Sequence, residues 1–219
     1  MENEKLKEIA SQLRQPHGAK GTEMAEVMND TNIKMTYHAI DQLKINDNDS
    51  ILELGHGNCG HLGYLLQQKA NLKYQGLEIS DLMQQSAQEL NEVFVNSGQA
   101  SFHLYDGLGI PFQDNSFDRI FTVNTIYFWA DPIHLMGELC RVLKPNGILN
   151  ITFADEKFMA ELPFTQFGFE LYDMERIKTI VKPPFKIVSS DSQTETIKSK
   201  TGESVNRIFT TATITKEVQ

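Results

Sequence analysis

The sequence is short of positive charge and of long apolar runs. Its 219 residues contain 20 Lys and Arg against 29 Asp and Glu, which gives a formal net charge of −9 at pH 7. Because sites that follow nucleic-acid phosphates concentrate Lys and Arg, this balance argues against a nucleic-acid partner. No stretch approaches the roughly 18 apolar residues of a membrane span, and the first residues lack the basic and apolar regions of a signal peptide. We therefore expect neither a membrane span nor secretion.

Cysteine is also scarce. Cys59 and Cys140 are far apart and form no CxxC pair, so neither a disulfide framework nor a zinc knuckle is predicted, and a cytoplasmic location is expected. The six histidines show no HExxH or similar spacing, which predicts no metal site. The 40% apolar fraction is enough to bury a core, and the length suits one large α/β unit.

The N-terminal part of the chain has helical patterns. An apolar stripe predicts a helix over residues 2–15, which Pro16 and the following glycines interrupt. Thr22 is a candidate N-cap for a second helical segment, and a third is predicted over about 32–43. We interpret residues 1–45 as a helical cap that precedes a main domain at 46–219.

From residue 51 onward, strand and helix patterns alternate. The predicted strands are 51–54, 73–79, 101–105, 118–123 and 147–153, and the helical segments between them lie near 60–70, 81–97 and 132–143. This alternation predicts a parallel sheet with helices on both faces. After a helical stretch at 171–181, two β-prone segments at 186–198 and 204–215 flank Lys200–Glu203 and predict an antiparallel hairpin.

The sharpest local feature is a glycine loop after the first predicted strand. Glycine lets a backbone turn tightly beside a ligand, and a helix start after the turn presents unpaired N–H groups. Gly55, Gly57 and Gly60 have the spacing of the dinucleotide-binding fingerprint, and Glu78 follows as the acidic residue. On this loop alone, a nicotinamide cofactor is one of the alternatives.

Three further features bear on the choice of cofactor. Glu53 lies two residues before the first glycine, where a carboxylate suits a cationic ammonium group and where the dinucleotide fingerprint requires no acid. Tyr105-Asp106-Gly107 closes the third predicted strand. A helix then leads through Pro145-Asn146-Gly147 into the fifth strand.

In this order, these segments resemble the class I S-adenosylmethionine-dependent methyltransferases, especially the branch with many small-molecule and quinone-precursor methylating enzymes. The resemblance covers about residues 50–155 and, by pattern, the terminal hairpin. It implies a doubly wound, Rossmann-like α/β fold with a seven-stranded sheet of order 3-2-1-4-5-7-6, the last strand antiparallel. The family's loop reads acid-x-Gly-x-Gly-x-Gly. Here Cys59 takes the third glycine's place, and Gly60 comes one step late.

The resemblance implies roles for the residues around the glycine loop. Glu53 would help to place the methionine ammonium group of S-adenosylmethionine. Gly55 and Gly57 would let the main chain pass beside the cofactor, which His56 would touch through its backbone. Glu78 would accept hydrogen bonds from both ribose hydroxyls, since a carboxylate offers acceptors to a vicinal pair.

The adenine end is assigned in the same way. Asp106 would accept a hydrogen bond from the adenine amino group, while the backbone N–H of Gly107 or Leu108 would reach a ring nitrogen. Ile79 and Leu108 would enclose the adenine ring. The alternative for Asp106 is a simple turn aspartate, and apolar residues at strand ends are often plain core.

The acceptor side is less specific. The loop that begins at Asn124 would border both the sulfonium and the acceptor, and Tyr127 is the candidate to orient or deprotonate that acceptor, with packing as its alternative. The chain lacks the Asn/Asp-Pro-Pro-Tyr/Phe and Pro-Cys motifs of base-modifying relatives. A dense aromatic segment predicts a lid over an apolar or aromatic acceptor, or else ordinary packing; its members are Phe153, Phe158, Phe164, Phe167, Phe169 and Tyr172.

The resemblance thus implies methyl transfer to a small molecule by in-line displacement, mainly through proximity and orientation, with S-adenosylhomocysteine as the product. Two alternatives stay open at this point. A nicotinamide-dependent oxidoreductase or epimerase fits the glycine spacing, although no tyrosine is followed four residues later by lysine. A non-catalytic partner subunit that binds the cofactor is the other.

Overall fold

The computed structural model describes residues 2–198 and 204–218, and these build one seven-stranded sheet with helices on both faces. The strands are β1 Ser50–Leu54, β2 Lys73–Glu78, β3 Ala100–Leu104, β4 Phe117–Val123, β5 Leu143–Ala154, β6 Phe185–Lys198 and β7 Ser204–Lys216. The helices are α1 Glu2–Arg14, α2 Gly18–Asp41, α3 Leu62–Leu66, α4 Asp81–Leu90, α5 Glu92–Asn96, α6 Pro132–Val142, α7 Glu156–Ala160 and α8 Met174–Ile180.

The sheet has the order β3-β2-β1-β4-β5-β7-β6, so the predicted order is confirmed. Strands β1 to β5 run parallel, whereas β7 is antiparallel to both β5 and β6. In the register, Leu54 lies beside Leu77 of β2 and Thr122 of β4, so these three strands end at one edge. The chain order reverses between β1 and β4, which is where open α/β sheets bind their ligands.

Two apolar cores lie on opposite faces of this sheet, because successive strand residues point to opposite sides. On β1, Ile51 belongs to the core beneath α2 and α3, and Leu52 belongs to the core that contains α6 and α8. Both side chains are fully buried. This two-sided burial explains why the central strands β1 and β4 are mainly apolar in sequence.

The N-terminal helices differ from the prediction. Instead of a break near Gly21, an N-cap at Thr22 and a separate third helix, α2 continues unbroken from Gly18 to Asp41. Gly21 is needed for a close approach within that helix, since a Cβ there would lie 2.8 Å from Cδ2 of Leu82 on α4. The glycine that reads as a helix breaker in sequence is therefore a packing contact between two helices.

The second half of α2 is part of the sheet's helical layer. Met35, Ala39 and Ile40 are buried against β4 and β5, and the carbonyl of Ala39 accepts a hydrogen bond of 2.9 Å from Nδ2 of Asn150. The second half of α2 therefore packs against strands of the main domain, and the boundary between residues 45 and 46 stays a prediction.

Other differences have local causes. The predicted helix at 81–97 is divided at Asn91, whose side-chain amide donates to the carbonyls of Ala87 and Cys59. The late helix starts only at Met174, because Asp173 caps it through the N–H of Arg176. The remaining predicted helices are shorter in the structure, with α3 reduced to five residues.

The fifth strand and the hairpin complete the comparison with the sequence. The turn predicted at Pro145-Asn146-Gly147 lies inside β5 as an irregularity of the β4–β5 ladder, with Asn146 at φ +61°. The predicted antiparallel hairpin is present as β6 and β7, while its turn at Lys200–Glu203 lies outside the described residues.

Across the described ranges, every helix is too short or too polar to span a membrane.

Candidate active site

A cavity of about 1380 Å³ opens where β1, β2 and β4 end. The strand-end loops form one wall of it, and α1 with the first half of α2 forms the opposite wall. The residues of the glycine loop and Glu78 lie at one end of this space. Aromatic and aliphatic side chains line the remaining space, together with charged side chains of α1 and α2 that include Lys5, Glu8 and Lys20. We call these two parts of the cavity the polar end and the apolar end.

The glycine loop has the conformation that its sequence predicts. Gly55 and Gly57 have φ of +71° and +57°, and a Cβ on Gly55 would overlap Cγ2 of Thr125, whereas a Cβ on Gly57 would meet no atom within 4 Å. Cys59 also has a positive φ of +52°. The family that the sequence resembles has its third glycine at this position. The loop requires a left-handed backbone conformation there, and Cys59 adopts it.

Glu53 is buried and held through one of its oxygens. Its Oε2 accepts a hydrogen bond of 2.5 Å from the hydroxyl of Tyr74 and one of 2.8 Å from Nε2 of His61. The thiol of Cys59 in turn donates to the Tyr74 hydroxyl at 3.2 Å. Sequence reasoning missed His61 and Tyr74, although the strand register contains a signal for Tyr74. Glu53 pairs with Gly76, which places Tyr74 two positions away on the neighbouring strand.

The charge states of this cluster follow from burial and proximity. Burial alone lowers the pKa of His61, but the neighbouring Glu53 and Cys59 outweigh it, so the pKa lies well above its usual value. Burial raises the pKa of both the Tyr74 hydroxyl and the Cys59 thiol. The raised pKa values keep both the Tyr74 hydroxyl and the Cys59 thiol neutral donors at pH 7. Ligand atoms of Glu53, Cys59 and His61 also lie within 4.8 Å of one another, a grouping that could hold a metal ion and that the sequence spacing does not reveal.

Glu78 supports the glycine loop from the end of β2. Its Oε2 accepts from the N–H of Gly57 at 3.0 Å, and its Oε1 accepts from those of Ile79 at 2.8 Å and Ser80 at 3.1 Å. Burial raises its pKa to about 6 despite these three donors. Because each carboxylate oxygen has two lone pairs, Oε2 keeps one acceptor position toward the cavity.

The side chain of His56 packs beneath the loop. A Cβ on Gly76 would lie 2.6 Å from its Cδ2, and its ring centroid is 4.9 Å from that of Phe102. Burial lowers the pKa of His56 to about 4, so the neutral ring donates from Nδ1 to the carbonyl of Gly57 at 2.7 Å. This packing leaves the backbone of the loop for a bound ligand.

The residues predicted for the adenine end separate into two groups. Ile79 and Gly107 line the cavity, whereas Asp106 and Leu108 are exposed outside its wall. Oδ1 of Asp106 accepts from the N–H groups of Leu108 at 2.8 Å and Gly109 at 2.9 Å, and these donors lower its pKa. Asp106 thus has the geometry of the turn aspartate that was its alternative, and the Leu108 N–H is already engaged.

Asn124 and Tyr127 form a fixed corner beside the cavity. The Tyr127 hydroxyl donates to Oδ1 of Asn124 at 3.0 Å and accepts from the N–H of Ala154 at 2.6 Å. The residue is buried, and burial raises its pKa above the usual value of a tyrosine. This hydroxyl already donates one hydrogen bond and accepts another, and its pKa is raised, so it is a poor general base. The geometry therefore favours packing over catalysis for Tyr127.

The apolar end of the cavity combines distant parts of the chain. Its wall includes Leu6 and Ile9 of α1, Met24 and Met28 of α2, Phe128 and Trp129 after β4, and Ile197 and Val205 of the hairpin. The aromatic segment divides into three: Phe158, Phe164 and Phe169 line the cavity, Phe153 and Tyr172 are core, and Phe167 lies beside Lys7 of α1. The apolar stripe of α1 thus faces the cavity space.

Two polar contacts hold the helical wall in place, and sequence reasoning missed both. Arg207 on β7 forms a buried ion pair with Glu195 on β6 at 2.7 Å and also donates to the carbonyl of Thr31 at 2.5 Å and to Oδ1 of Asn32 at 2.9 Å. These bonds tie α2 to the hairpin across a sequence separation of 175 residues or more, too far for any local pattern to indicate.

The second contact lies above Glu78. Nε2 of Gln15 donates to the carbonyl of Ile79 at 2.7 Å, and Oγ of Ser80 donates to the carbonyl of Pro16 at 2.5 Å. The link between α1 and α2 is therefore bound to the loop after β2, so the helical wall also covers the polar end.

Comparison with known proteins supports the family resemblance. Residues 52–151, which are just under half of the chain, match the family model described as a methyltransferase domain. The match agrees with the resemblance to the class I S-adenosylmethionine-dependent methyltransferases seen in the sequence. The comparisons support neither an oxidoreductase nor a non-catalytic subunit.

Individual relatives of the methyltransferase domain are distant. The chain is 28% identical over 118 residues to the methyltransferase GfsG of Streptomyces halstedii and 30% identical over 131 residues to a malonyl-[acyl-carrier protein] O-methyltransferase of Marinomonas sp. (strain MWYL1). These alignments cover 54% and 58% of this chain but only 42% and 46% of the two relatives.

A solved structure shares the fold over more of the chain. It is a putative methyltransferase in complex with the Trm112 methyltransferase activator of Haloferax volcanii, with a TM-score of 0.74 and 18% identity. The match covers 90% of this chain and 95% of the other. At this identity the likeness concerns the fold alone.

Proposed function

We propose that this chain is an enzyme that transfers a methyl group from S-adenosylmethionine to a small-molecule acceptor, releasing S-adenosylhomocysteine. The observation that carries the proposal is one cavity with two ends. The carboxylates of Glu53 and Glu78 flank a left-handed glycine loop at the polar end, and apolar side chains line the other. At about 1380 Å³ the cavity exceeds the roughly 300–1,000 Å³ of an ordinary single-ligand site, so it has room for a cofactor and an acceptor.

The residues at the polar end fit this cofactor. Glu53 would receive the ammonium group at Oε1, an oxygen that accepts no hydrogen bond from the described residues. Glu78 would offer the open acceptor position of Oε2 to the ribose hydroxyls. The empty space beside Gly57 would admit the cofactor next to the main chain. At the adenine end, Ile79 would contact the ring and the Gly107 N–H would reach a ring nitrogen.

In this proposal the protein contributes to methyl transfer mainly by positioning the cofactor and the acceptor. The bound cofactor would supply an activated methyl group on its sulfonium. The cavity walls would hold the acceptor in line and exclude water, and orientation of this kind contributes up to about 7–11 kcal/mol in well-positioned systems. A general base is needed only when the acceptor is protonated at working pH. The hydrogen bonds of Tyr127 disfavour that residue for the task.

For the acceptor, we propose an apolar or aromatic small molecule. Phe164, Phe169 and Trp129 line the same cavity as the aliphatic stripe of α1, and burial of apolar ligand surface there would supply much of the binding energy. The net charge of −9 and the missing base-modifying motifs argue against nucleic acid. A cytoplasmic location is part of the same proposal.

Calorimetric titration tests the choice of cofactor. We expect S-adenosylhomocysteine to bind at micromolar concentration and NADH not to bind. Binding of NADH in its place would refute the methyltransferase proposal and restore the oxidoreductase alternative.

Methyl transfer itself is tested with cofactor labelled in the methyl group and an apolar extract of small metabolites. We expect label to appear in an extractable product and Glu78→Ala to abolish it. Cofactor binding without transfer to apolar, polar or macromolecular fractions would instead indicate the non-catalytic subunit.

A further inference from the structure

We infer that His61 and Tyr74 are positioning residues, which hold Glu53 so that its second oxygen faces the ammonium group of the cofactor. This inference rests on the proposed function and assigns two residues that lie outside the family's glycine-loop motif. It predicts that they act on the amino-acid part of the cofactor and leave its nucleoside part unaffected.

The two oxygens of the Glu53 carboxylate have different hydrogen-bond partners. Both strong donors reach Oε2, with Tyr74 at 2.5 Å and His61 at 2.8 Å. Within residues 2–198 and 204–218, Oε1 accepts none, and both Glu53 and His61 line the cavity. Oε1 therefore keeps its acceptor positions for a donor within the cavity, and a cationic group that enters there would form a charge-assisted hydrogen bond with it.

The two donors come from different elements, and this fixes the side chain of Glu53. Tyr74 belongs to β2 and is fully buried, while His61 directly precedes α3 and is 5% exposed. The thiol of Cys59 donates to the Tyr74 hydroxyl at 3.2 Å and orients its proton toward Glu53. Two fixed donors on one oxygen restrict the rotamer of Glu53 before any ligand binds, which lowers the ordering cost of binding.

The experiment compares two ligands that differ in the amino-acid part. Calorimetry would measure S-adenosylhomocysteine and 5′-methylthioadenosine, which lacks the ammonium and carboxylate groups, on the full chain and on His61→Ala and Tyr74→Phe. We expect each variant to weaken S-adenosylhomocysteine binding about tenfold, the size of one hydrogen bond to a charged group, and to change 5′-methylthioadenosine binding less than twofold.

Two further variants complete the design. His61→Gln keeps a donor near the same place and should restore most of the lost affinity. His103→Ala is the matched control, because His103 lies on β3 and pairs with Gln75 outside this cluster. It should leave both affinities unchanged.

Equal loss for both ligands would overturn the inference, since it would mean that His61 and Tyr74 merely support the fold of the loop. Unchanged affinity for S-adenosylhomocysteine would overturn it as well. Should His61→Ala fail to fold, Tyr74→Phe, which keeps the ring, carries the test alone. Failure of the unmodified chain to bind either ligand would count against the proposed function itself.

Discussion

The two ends of the cavity are built in different ways. The polar end comes from one continuous stretch, Glu53 to Glu78, whose buried side chains are joined by hydrogen bonds to strand ends and to the loop backbone. The apolar end is assembled from α1, α2, the aromatic segment and the hairpin. One end is a local motif on a rigid sheet, and the other is a surface between distant segments.

This difference suits two different binding functions, one for the cofactor and one for the acceptor. Directional hydrogen bonds on strand ends suit a ligand with fixed polar groups. A wall of apolar side chains on helices sets mainly size and shape, so it can vary without disturbing the polar end. The predictions below test whether the two ends are indeed independent.

The largest effect is expected from the buried ion pair that ties α2 to the hairpin. Arg207→Met should lower the free energy of unfolding by about 3–5 kcal/mol, because Glu195 would remain buried without a partner. Urea denaturation measures this. Lys178→Met, which removes an exposed pair with Glu175, is the control and should cost less than about 1 kcal/mol. If affinity for S-adenosylhomocysteine also fell more than tenfold, the two ends would not be independent.

The next effect concerns the polar end. Glu78→Ala should weaken S-adenosylhomocysteine binding about 100-fold, because it removes the acceptors for the N–H groups of Gly57, Ile79 and Ser80 as well as those for the ligand. Calorimetry measures the change, with the exposed Glu89→Ala on α4 as control. A loss of less than about threefold would show that the loop does not depend on Glu78.

A smaller effect is expected at the apolar end. Phe169→Ala should raise the KM for an apolar acceptor about tenfold through lost apolar contact, and affinity for S-adenosylhomocysteine should stay within twofold. Phe167→Ala is the matched control, since Phe167 lies beside Lys7 of α1 instead of in the cavity wall. Equal effects of both substitutions would favour ordinary packing of the aromatic segment over a role in acceptor binding.

The smallest effect is a pH dependence at the polar end. Because burial raises the pKa of Glu78 to about 6, its carboxylate is ionised at pH 7 and protonates below pH 6. Affinity for S-adenosylhomocysteine should fall about fourfold between pH 7 and pH 5.5, as the acceptor is lost. Glu78→Ala should abolish this dependence, and an identical pH profile in that variant would assign the titration to another group.

The raised pKa of Glu78 has the opposite consequence for stability, because ionising this buried carboxyl group destabilises the folded state. An acid whose pKa is raised from 4.5 to about 6 by folding destabilises the native state above pH 6, and the penalty vanishes as pH falls below 4.5. At pH 7 it amounts to about 2 kcal/mol. Glu78 thus reduces stability at the pH where it is most useful for binding.

Much of the fold and of the polar end follows from local patterns. The strands and the glycine loop were predicted correctly, because alternation and glycine spacing are short-range signals, whereas the sheet order was implied by the family resemblance. The predictions that differ from the structure are those that depend on neighbours in space. Gly21 contacts Leu82 inside a continuous helix, and Asn91 divides the helix predicted at 81–97 by donating to the carbonyls of Ala87 and Cys59.

By itself, the sequence determined the order of elements, the positive-φ turn and the acids that surround it, since each depends on residues within a few positions of one another. Only the tertiary structure decided that His61 and Tyr74 share one oxygen of Glu53, that Tyr127 is bound to the backbone of Ala154, and that Arg207 reaches Thr31. The physical reason is that buried hydrogen bonds and ion pairs are chosen by burial and by neighbours in space, and neither is encoded at a fixed distance along the chain.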